Sequence, residues 1–101
     1  MDDQLSQELL GLCDQIDAEL SGAGAGTNPP ALARIQFLCG KLSGRDSHMT
    51  TEANRLSSRA AIYLSNTKHL SVRGGADEVL RSLRALLASI RQDIRALAKR
   101  G

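Results

Sequence analysis

The stretch that decides the fold is residues 76–99, ADEVLRSLRALLASIRQDIRALAK. Val79, Leu83, Leu86, Ile90 and Leu97 follow near-heptad spacing, and Leu80, Leu87 and Ile94 fill in beside them. At 100° per residue these positions draw one apolar stripe roughly 120° wide, the signature of an amphipathic helix. Asp77 and Glu78 fall in the first turn and Lys99 and Arg100 in the last. That order suits the helix dipole, positive at its N-terminus and negative at its C-terminus. The segment predicts a helix from Ala76 or Asp77 to Lys99. Its greasy side must be covered by other helices of the chain or by a second molecule.

Upstream, the same periodicity recurs three times. Leu5, Leu9, Leu12, Cys13, Ile16 and Leu20 predict a first helix from Asp2 or Asp3 to Leu20, with Gly22 as its stop. Residues 21–28, SGAGAGTN, read as a flexible Gly/Ala-rich linker. They are no phosphate loop, because no strand precedes them and no Gly-Lys-Ser or Gly-Lys-Thr follows. Asn28 caps a second helix that begins at Pro29 or Pro30 and places Ala31, Leu32, Ile35, Leu38, Cys39 and Leu42 on one face. Phe37 points away from that face. Ser43-Gly44-Arg45 is a break, and Asp46 or Ser47 caps a third helix that runs to about Asn66. Met49, Ala53, Leu56, Ala60, Tyr63 and Leu64 line its inner side. One bent helix over 30–66 is the alternative to a hairpin. Residues 67–75 form a loop.

Composition agrees with this all-α reading. The 101 residues hold one Phe, one Tyr and no Trp, so the core is built from Leu, Ile and Ala. Leu and Ala favour helices, while the β-branched and aromatic residues that strands prefer are few. The expectation is a single domain, a small antiparallel bundle of three or four helices with homodimerisation as a means of completing it. Residues 1–20 form an acidic first helix, and residues 29–101 form a basic helical core.

Net charge is only +2, but it is unevenly placed. All six acidic residues before position 34 (Asp2, Asp3, Glu8, Asp14, Asp17 and Glu19) occur with no Lys or Arg among them. The remainder carries all thirteen basic residues against five acidic ones. Along one edge of the C-terminal stripe, Arg81, Arg84, Arg91, Arg95 and Lys99 fall within about 80° on a helical wheel. This ridge admits three readings. It could pair with the acidic first helix, within the chain or across a dimer, which accounts for both halves of the asymmetry. It could bind nucleic-acid phosphates, for which Arg offers a rigid fork. Against that, the pI is about 8.8, and aromatics to stack bases are nearly absent. It could lie on an anionic membrane, but Trp and Phe anchors are missing from the segment.

No residue set marks an enzyme. His48 and His69 stand near predicted helix ends or in loops, in no motif with Cys13 or Cys39. Neither His-x-x-x-His nor Glu-x-x-His occurs, and no metal or cofactor is expected. The two cysteines lie far apart, each on an apolar stripe, and read as buried free thiols. No apolar run approaches the ~20 residues that span a bilayer. The acidic start is unlike a secretory signal, so the expected location is the cytoplasm, where a virus or phage product would read the same way.

The function expected is a non-enzymatic interaction module: an adaptor, assembly factor or regulator acting through amphipathic helix contacts. Leu83, Leu86, Ile90, Ile94 and Leu97 are the interface residues if the C-terminal stripe is not already core. Its partner would be another protein, itself as a homo-oligomer, or both. The alternative is a small nucleic-acid-binding protein using the ridge from Arg81 to Lys99.

Overall fold

Four α-helices fold against one another in the computed structural model, which describes residues 3–100, the last by its backbone only. They are α1 (Asp3–Ala23), α2 (Pro29–Leu42), α3 (Ser47–Tyr63) and α4 (Gly75–Arg100), with a short 3-10 turn at Lys68–Ser71 before α4. The expected all-α bundle is therefore what forms, and among the described residues no strand is present. Each helix packs on two others in a closed ring: α1 on α2, α2 on α3, α3 on α4 and α4 back on α1. Neighbours run antiparallel. Asp14 meets Arg91 while Asp17, further along α1, meets Arg84, further back on α4. At one end of the bundle the Gly26 amide donates to the Tyr63 carbonyl, pinning the α1–α2 connection to the end of α3.

Local chemistry sets the boundaries. The Asn28 side chain accepts from the Ala31 amide, and Pro29 and Pro30 open α2 where their missing N–H groups cost nothing. The Asp46 carboxylate accepts from the Met49 amide and starts α3. The 30–66 segment is thus a hairpin, broken at Ser43–Asp46. The ends of α4 fall within one or two residues of expectation, and two other ends differ by about a turn. The first helix runs one turn past Leu20, through Gly22, because the residue that leaves the helical region is Gly24, at φ +68°. The linker is correspondingly shorter than 21–28. The third helix stops at Tyr63 rather than Asn66, where the Ser65 hydroxyl takes the Ile62 carbonyl and accepts in turn from the Lys68 amide. Gly74 then turns the chain into α4. A Cβ added there would fall 2.7 Å from the Glu78 Cβ, and its φ of +92° suits glycine alone. The expected start at Asp2 lies outside the described residues.

One core fills the centre. It takes Leu9, Cys13, Ile16 and Leu20 from α1, Ile35, Leu38, Cys39 and Leu42 from α2, Met49, Leu56 and Tyr63 from α3, and Val79, Leu83, Leu87, Ile90 and Ile94 from α4. Ala53 and Ala60 are fully buried on α3 beside Leu56, and their small side chains let the neighbouring helices approach. A flexible Gly-rich connection by itself allows a loosely docked first helix. Instead α1 contributes Leu9, Cys13, Ile16 and Leu20 to the sealed interior, although its apolar stripe is less sharply segregated than that of α4.

Candidate functional site

The expected interface on α4 is mostly interior. Leu83, Ile90 and Ile94 are completely buried within the chain, and only Leu86 and Leu97 retain partial exposure. The stripe is core because α1 and α3 cover it from both sides.

The basic ridge meets the acidic helix within the chain. Arg91 donates to the Asp14 carboxylate at 2.8 Å, and Arg84 approaches Asp17 at 3.9 Å. Arg81 pairs along its own helix with Glu78 at 3.4 Å. Arg95 and Lys99 have no ion-pair partner among the described residues, although the positive charges of Arg91 and Arg95 both reach the Cys13 thiol. A third pair joins α1 to α2, where Arg34 donates to Glu19 at 2.8 Å. These pairs are largely exposed, so each adds little stability, but together they favour this arrangement of helices.

Between α1 and α2 the outer surface opens into a continuous groove. One stretch, about 620 Å³, is walled by Leu5, Glu8, Leu12 and Gly11 on α1 and by Lys41 and Arg45 beyond them. The next, about 420 Å³, is walled by Gln15, Ala18 and Glu19 on one side and by Arg34, Phe37 and Leu38 on the other. Phe37, the only Phe in the chain, is 63% exposed here. The Lys41 ammonium sits 4.6 Å from the centre of its ring, a cation–π contact that holds the ring up on the α2 wall. At Gly11 a side chain would meet open space, so the glycine leaves the groove unfilled. Cys13 of α1 and Cys39 of α2 are both free and buried. Burial pushes the Cys13 thiol up to about 11, and burial with Cys13 nearby pushes Cys39 up to about 12. Neither thiol is a nucleophile at neutral pH.

A polar cluster joins α3 to α4 at the other side of the molecule. His48 Nδ1 lies 3.1 Å from Asp93 Oδ2, a hydrogen bond, and 3.2 Å from Glu52 Oε1. Glu52 is only 6% exposed, and its Oε1 has no hydrogen-bond partner among the described residues. Burial raises its carboxyl above the usual range, and Asp93 raises it further, while Ser89 and His48 oppose the shift. Sequence reasoning passed over this cluster. Half of it was visible as His48-x-x-x-Glu52, one helical turn apart. The contribution of Asp93, 45 residues on, follows only from the antiparallel pairing of α3 with α4. The other histidine, His69, is buried in the 3-10 turn, with its Nδ1 likewise unpartnered.

No described helix is long and apolar enough to cross a membrane. Comparison with protein-family models, with curated proteins and with solved structures gives no match.

Proposed function

We propose that this protein is a non-enzymatic helical interaction module whose working surface is the α1/α2 face, and that the first partner of this face is a second copy of the chain. One observation carries the reading: the exposed Phe37 stands over an open groove whose two walls bear opposite charge. Glu8 and Glu19 lie on the α1 wall, and Arg34, Lys41 and Arg45 on the α2 wall. A two-fold axis running along the groove, parallel to the helices, lays the α1 wall of one copy on the α2 wall of the other. Glu8 of each then faces Lys41 and Arg45 of its mate, and each Phe37 faces Gln15 and the small Ala18. Such an isologous contact is self-complementary by construction. Fully burying an exposed aromatic side chain is worth roughly 1.5–3 kcal/mol, so Phe37, already partly covered, contributes less than that at each of the two equivalent contacts.

Charge reversal tests this arrangement. Glu8→Lys should weaken self-association at low salt, and combining it with Lys41→Glu should restore it. A double variant no better than either single one, with folding intact by circular dichroism, would refute the face-to-face pairing. The nucleic-acid reading has less support. Three of its five ridge residues, Arg81, Arg84 and Arg91, already have carboxylate partners. A gel shift that weakens steeply with salt and flattens in Arg91→Ala/Arg95→Ala would favour it instead.

A further inference from the structure

The His48–Glu52–Asp93 cluster carries an inference independent of the proposed self-association. Its donor atoms come from two packed helices, α3 and α4. The Asp46 cap starts α3 two residues before His48, and one turn later Glu52 points into the α3–α4 seam, where Asp93 enters from the antiparallel helix. One ligand atom from each of the three lies within 4.8 Å of the others, and Nδ1 stands 3.1 and 3.2 Å from the two carboxylate oxygens. Donors bound to one Zn²⁺ at about 2.0–2.2 Å sit roughly 3.0–3.5 Å apart by simple geometry. The two spacings from Nδ1 fall in that range, and the two carboxylate oxygens lie within 4.8 Å of each other.

The second observation is Glu52 itself. Its side chain is more than nine-tenths buried, since only 8% of it is accessible, and it is aimed into the cluster. The His48 ring is engaged with Asp93 and the Ser89 hydroxyl lies beside the carboxylate, yet Glu52 Oε1 has no hydrogen-bond partner among the described residues. A buried carboxylate oxygen with no donor is costly, and a divalent cation removes that cost. The opposite side is open, because the His48 side chain is 67% exposed. An ion has a path in, and water can complete its coordination.

We propose that His48 Nδ1, Glu52 Oε1 and Asp93 Oδ2 bind one divalent transition-metal ion of the Zn²⁺ class, clamping the start of α3 to the C-terminal half of α4. One imidazole nitrogen with two carboxylates suits zinc and its neighbours, whereas Mg²⁺ and Ca²⁺ take all-oxygen sites. The Ser89 hydroxyl beside Glu52 supports the charged carboxylate from outside the ligand set.

The test is calorimetric titration of the untagged protein with Zn²⁺ alone, alongside thermal unfolding with zinc and with chelator. The expected result is one ion per chain, a higher Tm with zinc, and affinity reduced at least tenfold in His48→Ala and in Asp93→Asn. His48 is exposed enough for its alanine variant to keep the fold, which circular dichroism verifies. His69→Ala and Cys13→Ala/Cys39→Ala should bind as the parent does. Absence of zinc binding by the parent protein would overturn the proposal. So would binding that survives His48→Ala, or binding lost with His69 or the cysteines.

Discussion

Arg91 of α4 and Asp14 of α1 meet at 2.8 Å although 77 residues of chain separate them. Their contact is, among the described residues, one of three ion pairs that join the acidic first helix to the basic remainder. Asp14 is 73% exposed at its side chain, so solvent screens the pair. A double-mutant cycle with Asp14→Ala and Arg91→Ala, read by urea denaturation, should give a coupling of about 0.2–1 kcal/mol that shrinks as salt rises. A salt-independent coupling of several kcal/mol would show that the pair is a structural anchor rather than a guide to helix order.

The α4 stripe separates into interior and margin. Ile90→Ala should cost about 2–5 kcal/mol, because the emptied volume lies in a sealed core. Leu97→Ala, at a partly exposed position, should cost clearly less. In a domain of this size each kcal/mol lowers Tm by roughly 4–8 °C. Thermal scans of the two variants check the order, and equal losses would contradict this assignment of the core.

Much of this architecture was legible in the chain. Each apolar stripe that spacing places on a helix lies at or beside the core, and the Asn28 and Asp46 caps begin α2 and α3 where their side chains predict. Helix ends were less legible. A glycine such as Gly22 costs a helix about 1 kcal/mol relative to Ala without having to end it, and the positive φ of Gly24 marks the stop. The placement of partners was least legible. Whether Leu83 and Ile90 face another helix or another molecule depends on how α1 and α3 close around them, which periodicity along one segment does not encode. The cluster at Glu52 was hidden for the same reason, since its members meet only after α3 and α4 are paired.

The buried thiols tie stability to alkaline pH. Cys13 is raised from its ordinary 9.0 to about 11, and Cys39 to about 12, chiefly by burial. An acid whose value is raised on folding contributes stability that is fully present below its unfolded value. That stability is lost as pH rises through the folded one. Stability should therefore fall between about pH 9 and pH 11–12 more steeply in the parent protein than in Cys13→Ala/Cys39→Ala. Urea midpoints at pH 8 and pH 10.5 measure the difference, and parallel losses in both proteins would contradict it.

Glu52 makes a prediction at the acid end. Its carboxyl is raised above the ordinary 4.5 by burial and by Asp93, so the folded state favours the protonated form. That preference stabilises the fold below the unfolded value and is lost as pH rises through the folded value. In chelator, Glu52→Gln should gain stability relative to the parent protein as pH is raised from 4 toward 7. Urea midpoints across that range check the trend, and a gap independent of pH would contradict it.

The most direct measurement is native mass by light scattering over a range of concentrations, for the parent protein and for Phe37→Glu. Pairing through the α1/α2 groove requires the parent to approach twice its chain mass of 10.8 kDa as concentration rises, while the variant stays at one chain. A parent protein that remains a single chain at every concentration, or a Phe37→Glu variant that pairs as tightly as the parent, would contradict the account.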